Sequence, residues 1–593
     1  MHHSPTAWIV IAGVLLAPRV GAAQPGTRAS FDDAWKWEQG VRRDARTIWA
    51  DSAPTPERLK TAAASLDSLV LWLRRPATRR LLSADKAPLL VWQESDVQLD
   101  LAMVHARLDN GPEVASRLNA ARRFLEGPLS PIKAGSGTES LFSYVASAFE
   151  SRDFTRAVRA DPAVVEALRE LRRRDTQRHL SGLPFSTTYA DTIPLADRVS
   201  GLSYLWSEAK YNFANFDLVP DLDWSAEYQA ALPQVIAASS TRDYYRVLQT
   251  FIAKLADGHT DIQVPNELSV QVEIHPRLVP ELIDGKVYIR RLDNSRYAAL
   301  GFAPGQQILS IDGVPAVQYG RERVQPYMAA STAQDRDVRT FTRFLLRGAH
   351  GSSAQLTVRD PDGTTKTLAA PRDTALAWDV VPSYELRWLP NRIAHIVLNS
   401  FGEGDVVLQF EKDLPRIMKA SGVILDVRGN GGGDSNVGYG ILSHLISRRS
   451  PVSSWSTPEY RPAFRSWQRT QPPYRGELDS IRPARVRYAG PVALLIGNQT
   501  FSAAEDFAVA FDAAKRGPLI GEPTGGSTGN PLSLRLPGGG FARICSKRDR
   551  YPDGREFVGV GVIPTIRMPR TVQDLIAGTD AALTEAVRAV SRR

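Results

Sequence analysis

Cysteine is nearly absent from this chain: Cys545 is the only one in 593 residues. One thiol cannot close an intrachain disulfide, and it rules out a metal site built on several cysteines. Long apolar runs are missing as well. Residues 7–17 form an apolar stretch too short to cross a bilayer, and no later segment has 18 uninterrupted apolar residues. Nor does the positive charge gather into a nucleic-acid footprint. The formal net charge of +9 is spread along the chain, and its densest run, Arg172–Arg174, lies in a helical pattern without interleaved aromatics. We therefore expect no nucleic-acid partner and no membrane span in the mature chain. What is present is an ordinary globular composition, 43% hydrophobic and 23% charged. The length exceeds what one core serves, and three or four domains are expected.

Small residues at Gly21-Ala22-Ala23 follow the first apolar stretch. Residues 1–23 read as a secretory signal peptide cleaved near Ala22 or Ala23, with His2 and His3 where Lys or Arg is usual. A large exported protein without disulfides suits a bacterial periplasm or the extracellular medium.

Along the chain, 30–184 reads as a helical accessory domain. Apolar residues recur at three-and-four spacing over 59–73, 97–108 and 114–125, with a Gly/Ser-rich break at 134–138 and a turn cluster at 180–184. Residues 190–275 are again helical and rich in aromatics. That segment ends in Leu255-Ala-Asp-Gly-His-Thr-Asp261, where Gly258 breaks the helix and sets His259 in a turn. Residues 276–372 look like a small β domain, with strand patterns at 282–290 and 355–359 and a hairpin turn at Asp360-Pro-Asp-Gly363. From 380 to 570 strands and helices alternate: a strand at 393–398, a helix at 402–419, a strand at 422–427, a helix at 435–447 and a loop over 448–488. That is an α/β layer. Residues 571–593 read as a C-terminal helix.

The stretch from Val492 to Phe511 organises this layer. Residues 492–496 have the continuous apolar pattern of a strand buried on both faces, and from Ala503 apolar residues recur at helical spacing. Ser502 stands at the junction, with the unpaired amides of a helix N-terminus behind it. Such a hydroxyl is either a nucleophile or simply an N-cap, with Glu505 three residues on to complete a capping box. The run Val423-Ile-Leu-Asp-Val-Arg-Gly-Asn-Gly-Gly-Gly433 is a buried strand entering a glycine-rich turn. It lacks the third glycine of a dinucleotide fingerprint, and no Gly-Lys-Ser/Thr follows, so an oxyanion cradle remains. Gly525-Gly-Ser-Thr-Gly529 has the spacing of a nucleophile elbow, but Asn530-Pro531 follows where a helix is required. Ser527 is therefore not read as a nucleophile.

Four segments then occur in a telling order: Ile424-Leu-Asp-Val-Arg-Gly-Asn-Gly-Gly-Gly433, Asn498-Gln-Thr-Phe-Ser-Ala-Ala-Glu505, Gly521-Glu-Pro-Thr-Gly-Gly526 and Gly559-Val-Gly-Val-Ile-Pro564. Together with Asp257-Gly-His-Thr260, they resemble the C-terminal processing peptidase and tricorn family of serine peptidases over roughly 190–570. The 276–372 segment resembles a PDZ domain, whose groove adds an extended peptide to a sheet edge. The resemblance implies a crotonase/ClpP-like α/β catalytic core with a PDZ-like β domain and N-terminal helical regions. It also implies residue roles. Ser502 matches the nucleophile, and the amides of Ala503 and of a glycine in the 431–433 turn, Gly432, match the oxyanion hole. Processing peptidases carry a lysine base where this chain has Ser527, so the match passes to the histidine of the tricorn-like branch, His259. That branch has a serine before the histidine and a glutamate near its C-terminal motif; here those positions read Gly258 and Val558, while Thr565 replaces an aspartate. Glu556, two residues upstream of Val558, is the candidate to orient His259.

The mechanism implied is acyl transfer through a Ser502 acyl-enzyme with His259 as general base, needing no metal or cofactor. The partner is a peptide or protein substrate; the oligomeric state is not read. Lys515 and Lys547 are expected to be solvated. A free imidazole titrates at about 6.5, which puts the acid limb of the pH–rate curve at about 6–7.5. The PDZ-like segment is expected to capture or gate substrate and to stay out of the chemistry. Two other readings stand beside this one. A weak or inactive member could serve as a peptide- or lipid-binding protein. An acyl-CoA enzyme of the crotonase fold would need coenzyme A and leaves the PDZ-like segment unexplained.

Overall fold

The computed structural model describes residues 40–48, 54–74, 87–125, 161–167, 183–292, 295–373, 381–402 and 405–591. The signal-peptide stretch 1–23 and the break at 134–138 lie outside them. The chain divides into two compact units, 2–183 and 184–593. In the first, helices run over Pro56–Leu73, Ala87–Arg107 and Gly111–Leu125, where the apolar spacing places them. Leu66, Leu69, Val97, Leu101 and Val104 form a buried seam between the first two, and the third packs through Val114 and Leu118.

The second unit is built on a six-stranded sheet. Its strands are β1 (Tyr384–Leu389), β2 (Ile393–Leu398), β3 (Gly422–Asp426), β4 (Val492–Ile496), β5 (Leu519–Gly521) and β6 (Ile566–Arg567), lying side by side in chain order. β1 pairs antiparallel with β2, and every other pair is parallel. β4 is apolar throughout because both of its faces are covered. Val492, Leu494 and Ile496 face a core that includes Phe507, Ala508 and Phe511 of α1 (Ala503–Ala513). Ala493 and Leu495 face Ala582, Ala586 and Val590 of the C-terminal helix Ala581–Ser591. The C-terminal helical region is thus two pieces, Val572–Ala577 and Ala581–Ser591, broken at left-handed Gly578.

Arg428, just past β3, clasps that helix. It donates to both oxygens of Asp426 and both oxygens of Asp580. Burial alone would raise the Asp426 carboxyl, but hydrogen bonds from His395 and Arg428 hold it well below the usual carboxylate range.

Three helices, Leu195–Asn212, Trp224–Ala237 and Thr241–Ala253, precede the turn that carries His259. Their buried residues pack with Leu534, Ala542 and Ile544 from far along the chain. The strand Asp261–Gln263 pairs antiparallel with Phe541–Cys545, which pairs with Pro531–Arg535. This small sheet brings residues 257–260 against the segment that follows Ser502.

Between these parts lies a β domain with strands Leu278–Ile283, Lys286–Leu292, Gln307–Ile311, Ser353–Arg359 and Thr365–Pro371 in one antiparallel sheet. The single strand expected over 282–290 is a hairpin. Asp284 (φ 47°) and Gly285 (φ 73°) both have positive φ, as a two-residue hairpin turn requires, and the run of apolar residues concealed it. The 448–488 loop is also not bare: it holds short strands at Ser454–Thr457 and Ser480–Ile481 and a helix at Pro462–Ser466.

Two stability outcomes follow. A chain beginning at Pro184 should fold alone and melt in one cooperative transition by circular dichroism; a non-cooperative melt would show that the first unit completes its core. Arg428→Ala leaves the buried Asp426 carboxylate without its cation and should lower stability by about 3–5 kcal/mol at neutral pH. Because the Asp426 contribution disappears once the folded carboxyl is protonated, the loss should shrink as pH falls below about 4. Urea midpoints at the two pH values measure it, and an unchanged neutral midpoint would contradict the assignment.

Candidate active site

The turn at 257–260 is shaped by a fully buried aspartate. Asp257 Oδ1 accepts from the amide of His259 and the hydroxyl of Thr260, each at 2.9 Å, while Oδ2 accepts from Asn215 Nδ2 at 2.9 Å. Burial raises this carboxyl, and these hydrogen bonds oppose the rise. The turn presents His259, only 4% exposed, toward the start of α1.

Ser502 meets it there with φ 58° and ψ −127°, backbone that a residue with a Cβ rarely adopts. Strain of this kind costs on the order of 1–3 kcal/mol and persists only where the surroundings enforce it. Here the Ser502 amide is shared between the Ser527 carbonyl at 3.1 Å and Glu505 Oε2 at 3.2 Å. Gly432 (φ 102°) closes on the other side; a Cβ there would stand 2.6 Å from that of Ser502. Glu505 thus performs its half of a capping box. The Ser502 hydroxyl lies 2.9 Å from His259 Nε2.

The other ring nitrogen, His259 Nδ1, is 2.8 Å from Ser527 Oγ. With Nδ1–H donating to Ser527, Nε2 is left unprotonated toward Ser502, the tautomer a general base requires. Ser527 is fully buried and so cannot itself attack a substrate. Its amide donates to Glu505 Oε2 at 2.9 Å, and Thr524 Oγ1 and the Gly526 amide donate to Glu505 Oε1. One carboxyl therefore ties the 524–527 turn to the first turn of α1. Burial pushes that carboxyl up to about 8 against the pull of its four donors.

Among the described residues, no carboxylate hydrogen-bonds the ring of His259. Burial pushes its imidazole down to about 3, and the cations Arg543, Arg339 and Lys547 add to the effect. With the imidazole lowered in this way, the acid limb is expected below the 6–7.5 of a free imidazole. One face of the ring stacks on Phe501, with centroids 4.7 Å apart and planes at 8°, and Arg339 lies over Phe501.

Arg339 comes from the β domain, and so does much of what braces this turn. Ser331 Oγ accepts from the Gly258 amide, Arg339 donates to the Gly258 carbonyl, and Thr332 Oγ1 donates to the Gly525 carbonyl, all at 2.8 Å. Gln334 Nε2 bridges the carbonyls of Thr524 and Val560. Residues 331–339 of this segment thus hold both turns that carry the His259–Ser527 pair, without a side chain on either reacting atom.

Two other expectations change. Glu556 does not reach His259. It is held in ion pairs by Arg548 and Arg550, two residues apart on the preceding strand, and Ser527 occupies the ring nitrogen it would have oriented. The Gly432 amide is donated to Asn430 Oδ1 at 2.8 Å, whereas no acceptor among the described residues takes the Ala503 amide. Ala503 N is thus the ready donor for an oxyanion beside Ser502. Lys515 is exposed as expected, but Lys547 is largely buried and paired with Asp549 at 3.0 Å. Ser527 is the member of this cluster that its own sequence context hides most. The signal for it was its place where the lysine of related peptidases would stand.

Residues 392–568 match the family model described as Peptidase family S41. A carboxyl-terminal-processing protease of Picosynechococcus sp. is 24% identical over 350 residues, 56% of this chain and 74% of that protein. A tricorn protease homolog of Streptomyces coelicolor is 23% identical over 398 residues, 62% of this chain and 30% of that protein. Among solved structures, mature CPAF complexed with lactacystin superposes with a TM-score of 0.53 at 15% identity, over 67% of this chain and 98% of that chain, a likeness of fold.

The pH profile and Ser527 test the geometry together. A base must be neutral to accept a proton, so a depressed imidazole stays competent as pH falls, and kcat/KM should hold nearly level from pH 7 to about 5. Ser527→Asp places a negative charge on Nδ1–H and should move the acid limb up by at least about one pH unit. Ser527→Ala releases the tautomer and should lower kcat about 10–100-fold with little change in KM. A wild-type limb at 6–7.5, or superimposable profiles for Ser527→Asp, would contradict the arrangement.

Proposed function

We propose that this chain, whose residues 392–568 match Peptidase family S41, is a serine peptidase of the processing type with a specific catalytic arrangement. Ser502 is the nucleophile, His259 the general base and Ser527 the residue that orients the imidazole. The observation that carries this reading is the line Ser527 Oγ–His259 Nδ1 at 2.8 Å and His259 Nε2–Ser502 Oγ at 2.9 Å, ending on a serine with strained backbone. His259 takes the Ser502 proton as Oγ attacks a peptide carbonyl. The Ala503 amide receives the oxyanion, and the imidazolium then protonates the leaving amine. Water repeats the sequence on the acyl-enzyme. Recruiting Gly432 N as a second donor requires that amide to leave Asn430. A serine at Nδ1 gives the transient imidazolium no counter-charge, so this base is weaker than one backed by a carboxylate.

The substrates are peptides or proteins, and the β domain over 276–372 is read as a PDZ-like module that seats a peptide strand and braces His259 at once. In this reading 190–275 and 380–570 form the peptidase module, with a crotonase/ClpP-like core, and 30–184 is a helical accessory domain. An amino-terminal signal peptide would deliver the enzyme to a periplasm or outside the cell. Among the described residues, no helix is long and apolar enough to cross a membrane.

Hydrolysis of an unfolded protein substrate tests the assignment. Ser502→Ala and His259→Ala should each reduce kcat by about 10³-fold or more, and the double variant should lose little further, because nucleophile and base act as one unit. Retained turnover in Ser502→Ala, with the fold intact, would remove the proposal.

A further inference from the structure

At the far end of α1 from Ser502 there is a second site with no part in this chemistry. A cleft of about 710 Å³ opens where the end of α1 meets the segments 445–451 and 485–489. Six cations line it: Arg448, Arg449, Arg485, Arg487, Lys515 and Arg516. No aspartate or glutamate is among its lining residues. Lys515 lies 3.7 Å from Asp512, which Arg555 also approaches at 3.7 Å.

Structure accounts for some of these charges. Arg516 donates to the carbonyls of Leu445, Tyr488 and Gly490, and so closes loops around the helix end. Arg449 donates to Ser480, and Arg487 to the Ala484 carbonyl. Arg448 and Arg485 have neither an ion pair nor a hydrogen bond among the described residues, and both are exposed. The C-terminal dipole of α1 supplies the equivalent of about half a negative charge, enough to attract one cation and far short of six. A second observation points to the cleft itself. Ser450 lines it and is 4% exposed, yet its hydroxyl has no hydrogen-bond partner among the described residues. A buried, unpartnered hydroxyl costs about 1–3 kcal/mol unless something fills the place of its partner.

We propose that this cleft binds a multivalent phosphate anion, a ligand carrying two or more phosphate groups. Guanidinium groups match phosphate oxygens with two parallel N–H donors, and the chain presents four arginines on two facing segments. The Ser450 hydroxyl donates to an oxygen at the base of the cleft. The volume falls within the range of small-ligand sites, about 300–1,000 Å³. Single-stranded nucleic acid would need exposed aromatic rings for its bases to stack on, and the one aromatic lining residue, Tyr488, is 3% exposed. A free polyphosphorylated small molecule and a diphosphate lipid headgroup share this chemistry.

The test uses the full chain with two probes: inorganic tripolyphosphate by isothermal titration calorimetry, and vesicles of phosphatidylcholine with or without cardiolipin by cosedimentation. At least one probe should bind in solution. Arg448→Glu with Arg485→Glu should weaken that binding at least about tenfold, and Ser450→Ala about two- to fivefold. Arg482→Glu alters the same loop outside the cleft lining and should leave affinity unchanged. Tripolyphosphate alone identifies a free ligand, and cardiolipin vesicles alone identify a headgroup. Failure of both probes, equal affinity in the Arg448/Arg485 double variant, or an equal loss from Arg482→Glu would overturn the proposal.

Discussion

The backbone of Ser502 is the constraint on which the rest of this site depends. At φ 58° and ψ −127° it is a conformation the residue would not choose. Three neighbours hold it there: the Ser527 carbonyl, the Glu505 carboxyl and the close approach of Gly432. Those neighbours come from the turn after β5, the first turn of α1 and the turn after β3, so the parallel sheet is what brings them together. The strain accompanies a hydroxyl that stands 2.9 Å from the imidazole.

The second consequence concerns charge. A histidine base in a serine hydrolase usually leans on a carboxylate, whereas His259 leans on the Ser527 hydroxyl. Two buried carboxyls stand close without bonding the ring: Asp257 takes the His259 amide, and Glu505 sits behind Ser527 and takes its backbone amide. Around the ring are Phe501, Arg339, Arg543 and Lys547, an apolar face and three cations that all favour neutral imidazole. The site is therefore preset for proton acceptance and offers little help to the imidazolium that follows.

Much of this architecture was legible in the sequence because it is local. The continuous apolar pattern of 492–496 and the helical spacing after Ala503 are visible without a fold, since each reflects burial of neighbouring residues. The glycines of 431–433 announce close backbone approach, and Gly432 does lie against Ser502. What escaped was long-range or masked by composition. Ser527 meets a ring 268 residues away, and nothing in its own glycine-rich segment names that partner. Glu556 was chosen for its nearness to a motif, but Arg548 and Arg550 on the adjoining strand capture it. Residues 331–339 looked like part of a separate module because sequence order does not show that a domain's edge can grip a catalytic turn. The Asp284–Gly285 hairpin was hidden between two runs of apolar residues short enough to pass as one.

The most direct measurement of the central claim is mass-spectrometric mapping of the adduct formed with a serine-reactive fluorophosphonate. The account predicts a single modification on the peptide containing Ser502, formed much more slowly in His259→Ala and absent in Ser502→Ala. Modification at another serine, or labelling of Ser502 at an undiminished rate without His259, would contradict it.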